Sequence, residues 1–537
     1  MKNLLKKLLP FILSISVVGS SCSSVPYTDS PNTTDASASA EENQQITSVS
    51  DKMPVLYIES ASGSNDFVTK TVSRHVSEQI ASWTPGYVMP PEPYYETCTV
   101  SMKNGDGVSL LEPAEAQVKV RGNWTTNYEK KPLRIKFTEK QNLLGLNNGA
   151  NVRNWVLLAE YKDASMLRNK TAFDISHEIL GEDGLYASDC AFTEVYINGE
   201  YWGVYLIAEL QQINNDRVDI TKAEEGYTGT DIGYFLEFDG YFYTEDPLQR
   251  FHVDYADNAP LVPYDGKGGN GRTITCLPTS AYDPCIDVGF TIVNDIYSEE
   301  QRDFIDSYIN NVYRIMYEAA YNDKAYMFNH DYTSISKTSV ITPREAIEKV
   351  VDLQSLVDIY IINELCCDAD IYWSSFFMSV DFGEEGNKKL TFTAPWDFDS
   401  ALGNKSRCAD GTGYYASNIV PDVNGGPRGG GQYESANPWL VVLAYEDWYR
   451  DMIKEKWTGI YDSGVFTRAY DMIETNKTQY SEEFDRNLNK WKSINNDSFR
   501  NELSLNALRC KNQAEAADYL SRWLKSRVEF LNSQWHL

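Results

Sequence analysis

The chain has no C-x-x-C pair and no H-E-x-x-H, and its five histidines are scattered, so no zinc-ligand spacing is present. Basic residues are outnumbered: 48 Lys and Arg stand against 77 Asp and Glu, a formal charge of −29. Such a surface repels phosphate backbones, which argues against nucleic acid as a partner, and it argues likewise against electrostatic adhesion to anionic lipid. It favours a basic protein or peptide, and it equally serves solubility. Long apolar runs are also missing. The one candidate, residues 8–18, is too short for a membrane span. The rest of the 537 residues read as a body with no transmembrane segment, large enough for a sizeable core.

What is present begins with Lys2, Lys6 and Lys7 ahead of that apolar run, the charged and hydrophobic regions of an export signal. The run ends at Gly19-Ser20-Ser21-Cys22, which resembles a bacterial lipoprotein signal with Cys22 as the lipidated residue. An ordinary signal peptide cut nearby is the alternative, and either implies an exported chain. Residues 23–50, rich in Ser, Thr, Asn, Ala and acids, cannot bury enough apolar surface to fold. They read as a tether behind a lipid anchor. Eight cysteines remain. Cys276 and Cys285 bracket a short loop and form the best candidate disulfide, whereas Cys366-Cys367 lie in an apolar helix.

From Met53 the chain reads as strands first and helices later, an α+β layout. Residues 118–122 and 133–137 suit a strand pair. Asn198-Gly199 between two β-prone runs is a hairpin signal. Residues 165–179, 299–320 and 353–367 carry helical spacing, and residues 439–537 are mostly helical. Within this frame the most informative residues are acids. Asp370 follows the third of those helices, and Asp397 and Asp399 follow a predicted strand over residues 389–392. Phosphotransferases place a base beside a metal-binding carboxylate in this way. A solvated or capping turn would use the same residue types.

Taken together, several stretches resemble the CotH kinase family. They are Arg121-Gly122-Asn123-Trp124 with Lys130-Lys131-Pro132-Leu133-Arg134-Ile135-Lys136-Phe137, and Asn154-Trp155-Val156-Leu157-Leu158 with Asp163 and Leu167-Arg168-Asn169. Next come Tyr196-Ile197-Asn198-Gly199-Glu200-Tyr201-Trp202-Gly203-Val204-Tyr205 with Glu209, then Gly233-Tyr234-Phe235-Leu236-Glu237. The run from Asn363-Glu364 to Asp370 and Pro395-Trp396-Asp397-Phe398-Asp399 complete the set.

The resemblance implies an atypical protein-kinase-like fold of two lobes, a β-rich N-lobe and a mainly helical C-lobe. The kinase-like region would cover residues 51–403, with 404–537 a helical part of the same body. It implies transfer of phosphate from ATP, with Mg²⁺ or Mn²⁺, to Ser or Thr of a protein substrate. Asp370 would be the base. Asp397 would hold the metal, with Asp399 a second candidate. Lys131 or Lys136 would contact phosphates, Glu209 would orient the lysine, and Arg121 and Asn123 would lie near the nucleotide. On the strand over 133–137, Lys136 shares a face with Arg134 opposite the apolar set; Lys131 precedes a proline in a turn. Asp368 stands where the family is expected to carry an amide, and a neighbouring carboxylate raises a pKa.

The G-x-G-x-x-G of residues 266–271 precedes a strand-like run and reads as a hairpin turn. The glycine-rich residues 424–431 read as a loop, with a substrate-facing lid as the functional alternative. The competing function classes are a surface adhesion or wall-polysaccharide-binding module, with Tyr414 and Tyr415 stacking on sugars, and a pseudokinase that binds nucleotide without transfer.

Overall fold

The structure is a computed structural model that describes residues 52–267, 272–278, 287–368, 370–421, 434–494, 496, 499 and 501–537. Cys22, Cys285, the tether and the glycine-rich residues 424–431 lie outside the described residues, as does most of 266–271.

The strand-rich half is a closed barrel. Its strands are β1 (Val55–Ser60), β2 (Glu96–Lys103), β3 (Ser109–Val120), β4 (Leu133–Gln141), β5 (Val152–Leu158), β6 (Cys190–Ile197) and β7 (Glu200–Glu209), in the order β1-β2-β3-β4-β5-β7-β6. Every neighbouring pair is antiparallel except the closing one, where β6 runs parallel to β1 and Val55 faces Glu194. The hairpin read at Asn198-Gly199 joins β6 to β7, with both residues at positive φ (50° and 75°). These two residue types tolerate that conformation. The Asn198 side chain also ties the turn to β1 by accepting from the Ser60 N–H at 2.8 Å.

Alternation along β5 and β7 divides their side chains between two cores. Trp155, Leu157, Tyr205 and Ile207 point into the barrel with Val118, Leu133 and Ile135. Val156, Leu158, Val204, Leu206 and Ala208 point the other way, into a larger core that reaches the C-terminal helices.

That larger core surrounds a second sheet. Its strands are β8 (Gly233–Asp239), β9 (Arg250–Phe251), β10 (Gly289–Ile292), β13 (Phe376–Asp381) and β14 (Thr391–Thr393), in the order β14-β13-β8-β10-β9; a separate hairpin of β11 (Ala325–Phe328) and β12 (Ile335–Thr338) intervenes in the chain. The chain is therefore α+β, as expected. Two features correct the expectation in detail. The β-rich part closes into a seven-stranded barrel, because β6 returns to β1, and the part expected to be mainly helical is organised about a five-stranded sheet.

Helix Leu353–Cys366 packs against this sheet. It is buried at every position but one and is apolar nearly all round, as a helix without a solvent face must be. Asp352 caps its start by accepting from the Ser355 N–H, and Cys367 ends it in the left-handed region. Helices from the end of the chain close the body. Asn487, on helix Ser481–Trp491, accepts from the Val204 N–H at 3.0 Å, and Trp491 donates to the Trp202 carbonyl at 2.7 Å. Arg527, on helix Gln513–Trp535, donates to Glu364 Oε1 at 2.6 Å, with both side chains fully buried.

Candidate active site

Three short segments converge beside the barrel. The first leaves β5. After Leu158 the chain runs through Glu160, Tyr161, Lys162 and Asp163 to helix Arg168–Gly181, and all four of these residues are buried. Asp163 holds the segment in place. Its carboxylate accepts from the N–H groups of Ser165, Leu167 and Arg168 and is paired with the Arg168 guanidinium. Three N–H donors and a buried cation fix this carboxylate, and with it the helix start.

The second segment follows β14. Ala394 and Asp397 both take positive φ (52° and 71°), turning Asp397 and Asp399 back toward the first segment. Non-glycine residues in that region store strain, a feature concentrated at functional sites. Asn169 staples the two segments together: it donates to Glu160 Oε1 at 2.9 Å and accepts from the Phe398 N–H at 2.7 Å. The third segment is the exit of helix Leu353–Cys366, which carries Asp368 and Asp370. Both acids are buried, and the Asp370 N–H donates to Asp368 Oδ1 at 3.0 Å.

The electrostatics distinguish the acids. Lys162 Nζ lies 3.2 Å from Asp399 Oδ1 and donates to Ser400 Oγ at 2.6 Å. Burial alone would pull the Lys162 pKa down; the Asp399 carboxylate, with Tyr128, Glu502 and Asp370, more than reverses this and holds it well above the usual lysine value. For Asp397 the Lys162 charge offsets the opposing effects only in part. Burial, then the charges of Asp399 and Asp370, push its pKa well above the carboxylate range. Burial would raise Asp370 too, but Lys405 and Arg407, each donating to its Oδ1 at 2.9 Å, hold it below the usual value. Asp370 is thus an ionised carboxylate with a second oxygen, Oδ2, that is buried and has no partner.

A cavity of ≈ 40 Å³ lies between barrel and turn, lined by Arg121, Gly122, Tyr128, Glu160, Asn169, Trp396, Asp397 and Asp399 among others. Gly122 has φ +94°, and a Cβ there would come within 2.3 Å of Thr125 Oγ1, so the wall requires glycine. The Arg121 guanidinium lies over the Trp396 ring, 5.5 Å from its centroid. A larger opening of ≈ 670 Å³ lies around Tyr519, Arg522 and Trp523, and it contains none of the residues expected from the sequence.

Of those residues, Asp397, Asp399 and Arg121 share the cavity wall, and Asp370 lies within electrostatic reach of Asp397. The others lie off that wall. Lys131 donates to the carbonyls of Thr71 (2.9 Å) and Thr126 (2.5 Å). Lys136 is half-buried on β4, opposite Gln117 and Asn154. Glu209 is buried against Arg217, whose Nε donates to it at 3.0 Å. Asn123 is buried just behind Gly122, with its amide atoms unpartnered.

The lysine that does meet the acids is Lys162, and a further acid, Glu160, joins them. Sequence reasoning missed both. The available signal was their position directly before Asp163, already part of the family pattern. Tyr414, considered above as a sugar platform, is instead buried against Tyr264, Phe530 and Trp535.

Among the described residues no group of three or more His, Cys, Asp or Glu is arranged as a metal site. Two carboxylate oxygens, Asp397 Oδ2 and Glu160 Oε2, are nevertheless buried without partners, on residues that line the same cavity. Hard oxygens from one or two carboxylates, completed by phosphate oxygens, are what Mg²⁺ takes, so the donor set fits such an ion.

The family profile described as CotH kinase protein matches residues 118–271 and 297–531, spanning all three segments. The chain belongs to the CotH kinase protein family. It is also 29% identical over 136 residues to Inner spore coat protein H of Bacillus subtilis (strain 168), an alignment covering 25% of this chain and 33% of that protein. The match thus spans about a third of that curated relative. CotH membership suggests, at the level of the family, kinase-like use of ATP and a divalent cation.

Proposed function

We propose that this CotH-family chain is an exported, lipid-anchored protein kinase that transfers the γ-phosphate of ATP to Ser or Thr of a surface or coat protein. The observation that carries the reading is the convergence of Asp370, Asp397 and the Lys162–Asp399 pair beside one cavity. Phosphoryl transfer asks for positioning and charge stabilisation more than for covalent help, and these residues divide that work.

Asp370 is kept ionised by Lys405 and Arg407 and turns its unpartnered oxygen to the acceptor hydroxyl. A low pKa is compatible with this role, because the loose transition state of phosphoryl transfer asks little of the base. Asp397 and Glu160 would hold the divalent cation, which would supply neutralising charge to the phosphates when bound. Lys162, oriented by Asp399, supplies a fixed positive charge to phosphate.

The cavity of ≈ 40 Å³ has room for an ion or water. Admitting a nucleotide requires the wall of Arg121 and Gly122 to part from Trp396 and Asp397. Export and the anchor rest on Lys2, Lys6, Lys7, the apolar run and Cys22. The acidic surface suits a basic or Ser-rich protein substrate.

The test is phosphate transfer by the full chain, using labelled ATP with Mg²⁺ or Mn²⁺ and serine- and threonine-containing acceptors. Label on Ser or Thr that disappears in Asp370→Asn, Asp397→Ala and Lys162→Ala supports the reading. Nucleotide binding without transfer to any acceptor would make the chain a pseudokinase, and absence of both would leave a binding module.

A further inference from the structure

Arg407 is engaged on one side only. Its Nη2 donates to Asp370 Oδ1 at 2.9 Å, and Lys405 Nζ reaches the same oxygen at the same distance. The Arg407 side chain is only 6% exposed, yet its Nε and Nη1 are buried without a hydrogen-bond partner. Asp368, which feels the Arg407 charge, accepts from the Asp370 N–H. A buried cationic group with idle donors is costly to keep, and a planar guanidinium is suited to grip an oxyanion through two parallel N–H bonds.

The other half of this ion pair is idle in the complementary sense, because Asp370 Oδ2 is a buried acceptor without a donor. One pair therefore presents an unused acceptor, matching a hydroxyl, and two unused donors, matching an anion.

We propose that Arg407, supported by Lys405, is an anion seat beside Asp370 that receives the phosphoryl group as it passes to the acceptor hydroxyl. This rests on the kinase reading. In the step it serves, the acceptor oxygen forms a bond to the γ-phosphorus and the bond from that phosphorus to the β–γ bridging oxygen breaks. ADP departs with the bonding electrons, and the hydroxyl proton passes to Asp370 Oδ2. Arg407 makes no covalent bond; it holds the non-bridging oxygens while charge is redistributed. A phosphorylated or acidic side chain of the acceptor protein presents the same anionic oxygens and is the second possible source.

The experiment uses the full chain as wild type, Arg407→Gln and Arg407→Lys; the lysine variant keeps a cation opposite Asp370 if the glutamine variant does not fold. Thermal unfolding is followed with and without tungstate, a phosphate-shaped probe. Calorimetric titrations with ADP and with the β,γ-imido analogue of ATP are run in Mg²⁺. The expected result is that tungstate raises the wild-type Tm, raises that of Arg407→Lys less and leaves Arg407→Gln unmoved. Both variants should lose affinity for the ATP analogue, about tenfold for Arg407→Gln, and keep affinity for ADP.

Tungstate stabilisation equal in all three proteins, with unchanged discrimination between the nucleotides, would overturn the seat. If neither nucleotide binds the wild type while tungstate still acts through Arg407, the kinase reading fails and the seat's part in phosphoryl transfer falls with it, leaving Arg407 as an anion site of another kind. A KM that rises on Arg407→Gln only for acceptors bearing a neighbouring acidic or phosphorylated residue assigns the seat to that second source.

Discussion

Lysines are buried in two parts of this molecule, with opposite consequences. In the turn ahead of β4, Lys130 and Lys131 end on backbone carbonyls: Lys130 on Ala159 and Val204, Lys131 on Thr71 and Thr126. Burial pulls the pKa of both down, that of Lys131 to about 8. Beside the cavity, Lys162 ends on Asp399 and Ser400, and its pKa is driven up despite complete burial. Carbonyls absorb a cation's hydrogen bonds but not its charge. The second arrangement strengthens the lysine's hold on its proton, whereas the first weakens it. Lys130 and Lys131 brace backbone, and Lys162 is the lysine that the proposed function uses.

The largest effects expected are those that remove the chemistry. Asp370→Asn and Asp397→Ala should each lower phosphate transfer by about 10²–10⁴-fold with little change in circular dichroism; retention of transfer in both would remove the acids from the site. Next comes the Glu364–Arg527 pair. Arg527→Met should strand a buried carboxylate and cost about 3–5 kcal/mol, read as a fall in the denaturant midpoint.

Lys131→Met sharpens the contrast between the two lysine environments. It leaves two carbonyls without a donor, at a cost of about 1–3 kcal/mol, while transfer falls far less than in Lys162→Ala. The same variant carries a pH signature. The folded-state pKa of Lys131 lies near 8, below the ordinary lysine value of 10.5. The folded state therefore binds this proton less tightly than the unfolded one, so this contribution to stability improves as pH rises from about 8 toward 10.5. Urea midpoints across that range should show a rise in wild type that is flattened in Lys131→Met. An effect no larger than that of Lys131→Met is expected for Gly203→Ala. Gly203 has φ +128°, and a Cβ there would lie 2.5 Å from Asn487 Oδ1. A loss of about 1–3 kcal/mol, measured by thermal unfolding, would show how firmly helix Ser481–Trp491 is seated on β7.

Much of this was legible in the chain. The β6–β7 hairpin followed from Asn198-Gly199, the helix ending near Cys367 from its apolar run, and the acids from their place after a helix and a strand. Barrel closure was not legible, because it pairs β1 with β6 across more than a hundred residues and no local pattern records a long-range register. Glu160 and Lys162 were passed over because they follow the end of β5, where neither helical nor strand periodicity marks a side chain's direction. Lys405 and Arg407 were missed for a similar reason: they lie in the irregular turn after Asp399, and only the fold returns that turn to Asp370. Lys131 and Lys136 attracted attention because they stood inside a recognisable motif, and proximity in a motif is not proximity in space.

The clasp between Arg527 and Glu364 bears on the order in which the protein is made. Glu364 lies on the helix that presents Asp370, and the guanidinium that neutralises it is supplied 163 residues later. A ribosome or an export channel delivering this chain from its N-terminus releases the acids, Lys162 and the whole barrel well before Arg527 appears. Until then Glu364 is a carboxylate with no cation, and burying its otherwise apolar helix carries the cost of that unpaired charge. The helix that leads to Asp370 is therefore locked in place late, and a nascent or half-threaded chain carries the residues of the site without a settled arrangement of them.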